Sequence, residues 1–407
     1  MRVSEYFRLG RTQPTLDFVD VDIVLDTPVF ISPKALTLLP SDFGDECVHL
    51  VQDYFHTVLQ LIHAGRNDQA ERLLRQLREP NETRLGLSKG KARGHALGSE
   101  SAHNVWSALS QSEAAKSGLL EDLEDTVLMI EGISVDIVSD IATNIIREPL
   151  IRYTEQMSEH YGIPLTDGVD SGPLWNSRDK AWYAKFVKLP IAGDRRLLLV
   201  PKAIVRTHLQ YDSGEYLRHF LLTHLQHVEL TANSELVEII RSGKGKKKKT
   251  RRRVTKKSVI KKYGKDKKAI VRETLKHPEV LTRYRAIKRD EVHLPLTLDD
   301  IASIEGEANP DWDSLLSDVL SVNVGRNDAA RYENVIEGLL TALLYPNLTN
   351  PVVQHEIHGG RKRVDITYTN MALNGFFRWV ATHYPAPHVF VECKNYGNEI
   401  GNPVTCH

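Results

Sequence analysis

The chain has 407 residues, 41% of them hydrophobic, enough for two or three cored domains and too many for a wholly disordered polypeptide. No stretch is long and apolar enough to span a membrane, the N-terminus M-R-V-S-E-Y-F-R lacks an apolar signal core, and Cys47, Cys393 and Cys406 form neither C-x-x-C nor a disulfide framework, so a reduced, cytoplasmic protein with no membrane partner is expected. The formal charge of +0 hides a strong polarity: residues 241–268 carry sixteen Lys and Arg against one acid, Asp266, leaving 37 basic and 52 acidic residues elsewhere,.

Residues 1 to about 40 are extended in character, and L16-D-F-V-D-V-D-I-V-L-D-T-P-V-F-I predicts one or two strands,. Its Asp17, Asp20, Asp22 and Asp26 invite a metal reading, but solvated strand faces and turns are the expected one. From Asp45 to Leu77 the pattern is helical, broken at A64-G-R-N-D and stopped by E79-P-N,. The loop L85-G-L-S-K-G-K-A-R-G-H-A-L-G is not a P-loop. Its Lys89, Lys91, Arg93 and His95 make it a secondary candidate for nucleic-acid contact beside the plainer reading of a solvated loop. Residues 103–160 are mainly helical, with Pro149 a boundary or kink and Asp136 and Asp140 expected on a solvated face. A loop from Tyr161 to Trp175, a buried strand from Arg196 and a helix from Tyr216 follow. His219, His224 and His227 on that helix have no acid or cysteine in register, so a polar helix face is expected rather than a metal site.

The run S242-G-K-G-K-K-K-K-T-R-R-R-V-T-K-K is a strong local signal. Like-charge repulsion keeps its first half open in isolation. Lys246, Lys247, Lys248, Lys249, Arg251, Arg252, Arg253, Lys256 and Lys257 suit a polyanion bound by counterion release, without sequence preference. Three short basic helices are expected between Thr255 and Lys288, and none presents a definable recognition face,.

Towards the C-terminus a helical pattern runs from about Asn327 to Tyr345, with Glu333 and Glu337 four apart, and Pro346 stops it,. V352-V-Q-H-E-I-H and R363-V-D-I-T-Y-T read as strands joined by a Gly359-Gly360 turn, and V389-F-V-E-C-K-N-Y as another,. On that last strand Glu392 and Lys394 share one face and Cys393 takes the other. A charged pair at the end of an apolar strand is costly unless something uses it.

Asp365 followed by Glu392-Cys393-Lys394 resembles the D…(D/E)-x-K signature of the restriction-endonuclease-like, or PD-(D/E)XK, nucleases. Glu333, directly after Tyr332, is similar to the extra acid that many members carry on the first core helix, with Glu337 the competing choice. The resemblance covers roughly residues 325–400. It implies phosphodiester hydrolysis in which Asp365, Glu392, the Cys393 carbonyl and Glu333 hold Mg2+ or Mn2+ and Lys394 orients water or steadies developing charge. The family core continues after its E-x-K strand with a helix and a fourth strand. About a dozen residues follow Lys394 here, so an incomplete core is expected, either truncated or completed by a second copy or a partner chain, and either case puts the activity of this chain in question.

The expected fold class is α/β and multi-domain: a mostly helical α+β region of unknown role over 1–240, a basic, partly disordered segment over 241–290, and an α-β-β-β nuclease core over 291–407. The expected function is a metal-dependent nuclease on DNA, with RNA the alternative substrate, in an architecture that resembles prokaryotic restriction and anti-phage defence proteins. A non-catalytic nucleic-acid-binding protein is the rival.

Overall fold

The computed structural model describes residues 1–86, 99–242, 249–291, 294–357 and 362–397. Lys89, Lys91, Arg93 and His95 of the glycine loop, with Lys246, Lys247 and Lys248 of the basic run, lie outside them. Helices of eight or more residues and strands of three or more are numbered in chain order. The result is a mixed helix-and-strand fold in which every described sheet is small and antiparallel.

The long helix α1 (Asp42–His63) is capped by Ser41, whose hydroxyl accepts from the Gly44 amide,. It buries Cys47, Leu50, Val51, Tyr54, Phe55, Val58, Leu59 and Ile62, the one-face spacing that builds a helix into a core,. Helices α2 (Asn67–Leu74), α3 (Ser99–Gln111) and α4 (Val135–Ile145) follow. Then comes α5 (Arg147–Tyr161), ended by Gly162 at φ 72°,. Pro149 sits in the first turn of α5, where its missing N–H costs no helical bond,. The stretch expected as a loop after Tyr161 contains strands. β1 (Thr166–Asp170) pairs with β4 (Phe186–Leu189), and β2 (Leu174–Asn176) with β3 (Ala181–Tyr183). Trp175 and Trp182 face each other across the second pair and Tyr54 meets both rings edge-on,.

The N-terminal aspartates depart from expectation. Asp17 and Asp20 are almost fully buried rather than solvated. Asp17 accepts from the Tyr153 hydroxyl at 2.7 Å and the Asn350 amide at 2.8 Å. Asp20 accepts from the Ser4 amide at 2.8 Å and the Ser4 hydroxyl. Donors on each carboxylate offset its loss of water. Asp140 is likewise buried on α4 rather than solvated, and burial pushes its carboxyl well above the ordinary value.

After α6 (Leu222–Thr231), the strands β5 (Glu238–Ser242) and β6 (Lys249–Arg253) form an antiparallel pair, so the second half of the basic run includes a strand. The three basic helices are α7 (Lys256–Tyr263), α8 (Lys267–Lys276) and α9 (Pro278–Asp290). Their Val259, Ile270, Val271, Val280, Leu281 and Tyr284 join the same hydrophobic core as α1, α4 and α5. They form part of the body rather than a separate appendage. Arg285 of α9 fixes the join by bonding the fully buried Asp125 at 2.5 and 3.2 Å, the Leu119 carbonyl at 2.7 Å and Glu121 at 2.6 Å.

Beyond α10 (Leu298–Glu305) and α11 (Trp312–Leu320), helix α12 (Ala329–Leu344) lies against a sheet of order β7-β8-β9. These strands are β7 (Leu348–Ile357), β8 (Lys362–Asn370) and β9 (His388–Val391), and a helix, α13 (Gly375–His383), makes the long connection before β9. Leu348, Ile366 and Tyr368 pack with Ile336, Leu340, Leu344, Val389, Val391 and Cys393 as a separate, small core.

Removing one partner of a buried ion pair strands the other charge, at a cost of about 3–5 kcal/mol. Asp125→Ala is therefore expected to lower the unfolding free energy by about that amount in urea titration, whereas an Asp167→Ala control at an exposed site should shift it by less than about 0.5 kcal/mol.

Candidate active site

Helix α12 carries the two glutamates that the sequence left in competition, and they have opposite surroundings. Glu337 is 1% exposed. Arg11 donates to its Oε2 at 2.5 Å, Thr341 donates to Oε1 at 2.8 Å, and His160 Nε2 lies 3.5 Å from Oε1. Burial pushes this carboxyl up, but His160, Arg11 and Thr341 outweigh it and hold it below the ordinary value,. Arg11 also bonds the carbonyl and side chain of Asn334. It comes so close to α12 that a Cβ on Gly338 would strike its guanidinium. Glu337 is thus a structural anchor between α12 and the first 161 residues, turned away from the sheet edge.

Glu333, one turn earlier, is half-buried and accepts from the Gln354 side-chain amide of β7 at 2.5 Å. Its carboxyl is raised by burial and by the negative charges of Asp365 and Glu392, which the Gln354 hydrogen bond only partly offsets. The structure therefore places Glu333, and not Glu337, in the electrostatic field of the other two acids.

Asp365 sits on β8 immediately before Ile366, which pairs with Val391 of β9. Its Oδ2 accepts the Cys393 backbone N–H at 2.6 Å, tying the acid to the E-C-K segment just past β9. Lys394 Nζ donates to Glu392 Oε1 at 2.5 Å, so the two side chains lie together although β9 ends at Val391 and the expected strand does not extend through them. Cys393 turns to the opposite side and packs on the small core. Burial pushes the Cys393 thiol up to about 12, helped by Asp365, Glu333 and Glu392, so it stays protonated. The bond to Glu392 raises the Lys394 ammonium, which keeps its charge.

Gln354 joins these residues without having been singled out from the sequence. It sits opposite Asp365, between the Val353–Ile366 and His355–Val364 pairs, and takes φ 53°. Side chains rarely adopt that conformation, and it tends to mark a functional constraint. Nothing in the sequence singles it out, since it is one of several polar residues along L348-T-N-P-V-V-Q-H-E-I.

The carboxylates are near but not gathered. Among the described residues, the one group of three ligand atoms lying within 4.8 Å of one another is His224, His277 and Glu279, not the acids here. Glu392 is turned to Lys394 and Glu333 to Gln354. Three carboxylates facing one ammonium leave excess negative charge, and that donor set suits a hard divalent cation once the two glutamates swing free. The basic residues sit elsewhere. Arg252 bonds the Leu230 carbonyl and Asn233, Arg253 pairs with Glu238 at 3.0 Å, and Lys256 bonds the Arg218 carbonyl, all beside α6. Arg251 and Lys257 are exposed, and Lys249 lies in β6.

The two glutamates should respond differently to loss of charge. Glu337→Gln is expected to cost about 3 kcal/mol by breaking a buried pair. Glu333→Gln should change stability by less than about 0.5 kcal/mol in metal-free buffer, because it relieves repulsion at a half-exposed site. Chemical denaturation of both variants checks the contrast.

No curated protein and no solved structure matches the chain. A family model described as Domain of unknown function (DUF8370) matches residues 8–212, which include Arg11, Asp17 and His160 but none of the sheet-edge acids. That match spans half of the chain, and the protein belongs to the DUF8370 family.

Proposed function

We propose that the C-terminal unit is a metal-dependent nuclease that hydrolyses phosphodiester bonds, with DNA as substrate and RNA as the alternative, and that its fold is a restriction-endonuclease-like core. The observation that carries this reading is the bond from the Cys393 amide to Asp365, which sets that acid beside the Glu392–Lys394 pair with Glu333 in their field. Asp365, Glu392 and the Cys393 carbonyl would hold Mg2+ or Mn2+, with Glu333 in support. Such an ion supplies an activated water and polarises the phosphate. The residues of the chain do the remainder. Lys394, released from Glu392 when that carboxylate turns to the cation, keeps its proton and steadies charge on the phosphate. Gln354 holds Glu333 until it is needed. The arginines of β6 supply sequence-independent attraction for the nucleic-acid backbone. Among the described residues β9 is an edge strand, and Phe376, Trp379, Tyr384 and Phe390 are exposed around it. That surface suits a second copy or a partner chain. A role in prokaryotic defence follows the resemblance in architecture.

One observation favours a second reading, nucleic-acid binding without cleavage: the carboxylates are held apart by Lys394 and Gln354. Plasmid cleavage with Mg2+ or Mn2+ separates the two readings. The nuclease reading expects cutting that EDTA stops, that Asp365→Ala abolishes and that Lys394→Ala slows by about 100-fold or more. No cutting of DNA or RNA by a folded chain that still binds nucleic acid would support binding alone. In either case, Arg251→Ala is expected to weaken binding about equally for unrelated sequences and to reduce the salt dependence of log K by about 1.

A further inference from the structure

We propose that His224, His277 and Glu279 form a site for a zinc-like divalent transition-metal ion, separate from the carboxylate site and set where the basic helices join the body of the protein.

Sequence spacing hides this group because it comes from two regions. His224 lies on α6, and its neighbours on that helix offer no acid in register. His277 stands between α8 and α9, where its backbone N–H closes the last turn of α8. Pro278 then starts α9, with Glu279 in its first turn. The His277 N–H bonds the Glu273 and Thr274 carbonyls, which fixes its backbone at the end of α8. The approach of the two regions is also fixed: Tyr216 and Phe220, just before α6, pack on Tyr284 of α9 at ring-centroid distances of 5.2 and 4.8 Å. The Tyr216–Leu221 segment is itself π-helical, a rare geometry that is frequent near functional sites.

The distances fit an ion. His224 Nε2 lies 3.3 Å and His277 Nδ1 lies 3.6 Å from Glu279 Oε1, and all three ligand atoms fall within 4.8 Å of one another. A tetrahedral ion with bonds of about 2.0–2.1 Å separates its ligands by about 3.3–3.4 Å. His224 Nε2 is buried and, although it lies 3.3 Å from Glu279 Oε1, makes no hydrogen bond of good geometry. It points towards another imidazole, 4.6 Å away between ring centroids, and a carboxylate. Burial and the neighbouring His277 lower the His224 imidazole from its ordinary value. Two cationic or titratable groups also face it. His227 lies one turn along α6, and Arg283 lies one turn past Glu279 with its guanidinium over the Phe220 ring at 5.9 Å. Two nitrogens and one oxygen are a borderline donor set that suits Zn2+ over Mg2+. Three protein ligands leave a fourth position for water. Bound there, the ion clamps α6 to the α8–α9 junction.

The test uses the full chain stripped of metal with a chelator and titrated with Zn2+ against a chromophoric competitor. Variants are His224→Gln, His277→Gln and Glu279→Gln, the last at an exposed position that leaves the core intact. The expected result is one equivalent whose affinity falls more than about tenfold in each variant but is retained in Asp365→Asn. Co2+ in its place should give the visible absorption of a tetrahedral site, lost in His277→Gln. Wild-type Zn2+ affinity in Glu279→Gln and the folded histidine variants, or no saturable equivalent in the wild type, would overturn the proposal.

Discussion

The buried contact of Glu337 with Arg11 and His160 is the constraint on which the C-terminal arrangement depends. Three residues distant in sequence meet where water cannot screen them, and a charge in such a place is tolerable only when its partners are held in position. Gly338 removes the one side-chain carbon that would keep Arg11 off the helix. Asp17 strengthens the same junction by accepting the Asn350 amide of β7. With α12 pinned through one glutamate, the other, one turn away, is presented to the sheet edge. The family-matched region and the acidic site are therefore mechanically joined: anything that moves Arg11 or α5 moves the helix that carries Glu333.

The sheet edge and the helical body differ in chemistry as well as position. At the C-terminal sheet, hard carboxylates lie near one lysine without being gathered into one cluster. On the body, two imidazoles and a carboxylate face one another at the base of the basic helices. Hard and borderline donor sets select different cations, so each can be filled without competing for the same ion. The basic strand β6 lies over α6, the helix that carries His224. An ion that clamps α6 would thus also steady the surface proposed to meet nucleic acid.

Much of this was legible in the sequence where local patterning decides structure. The 3.6-residue spacing of Val335, Ile336, Leu339, Leu340 and Leu343 marks α12 to within two residues at its N-terminus, and the uncharged run around Asp365 marks β8; the strand expected over Val389–Tyr396 is present as β9 but ends at Val391. Three things were not legible, each for a physical reason. The choice between Glu333 and Glu337 depends on Arg11 and His160, more than 170 residues away. The burial of Asp17 and Asp20 depends on donors from Tyr153, Asn350 and Ser4 that no local pattern announces. The pairing of His224 with His277 requires the fold to bring α6 and α9 together. Pairing of Lys249–Arg253 with Glu238–Ser242 likewise joins segments that no local pattern links.

The most direct measurement is Mn2+ binding to the full chain followed by electron paramagnetic resonance, since Mn2+ reports on oxygen ligands without requiring turnover. The account predicts a bound ion that is lost in Asp365→Asn and in Glu392→Gln and is kept in His224→Gln. Mn2+ bound equally well without those carboxylates, or not bound at all by the intact protein, would contradict it.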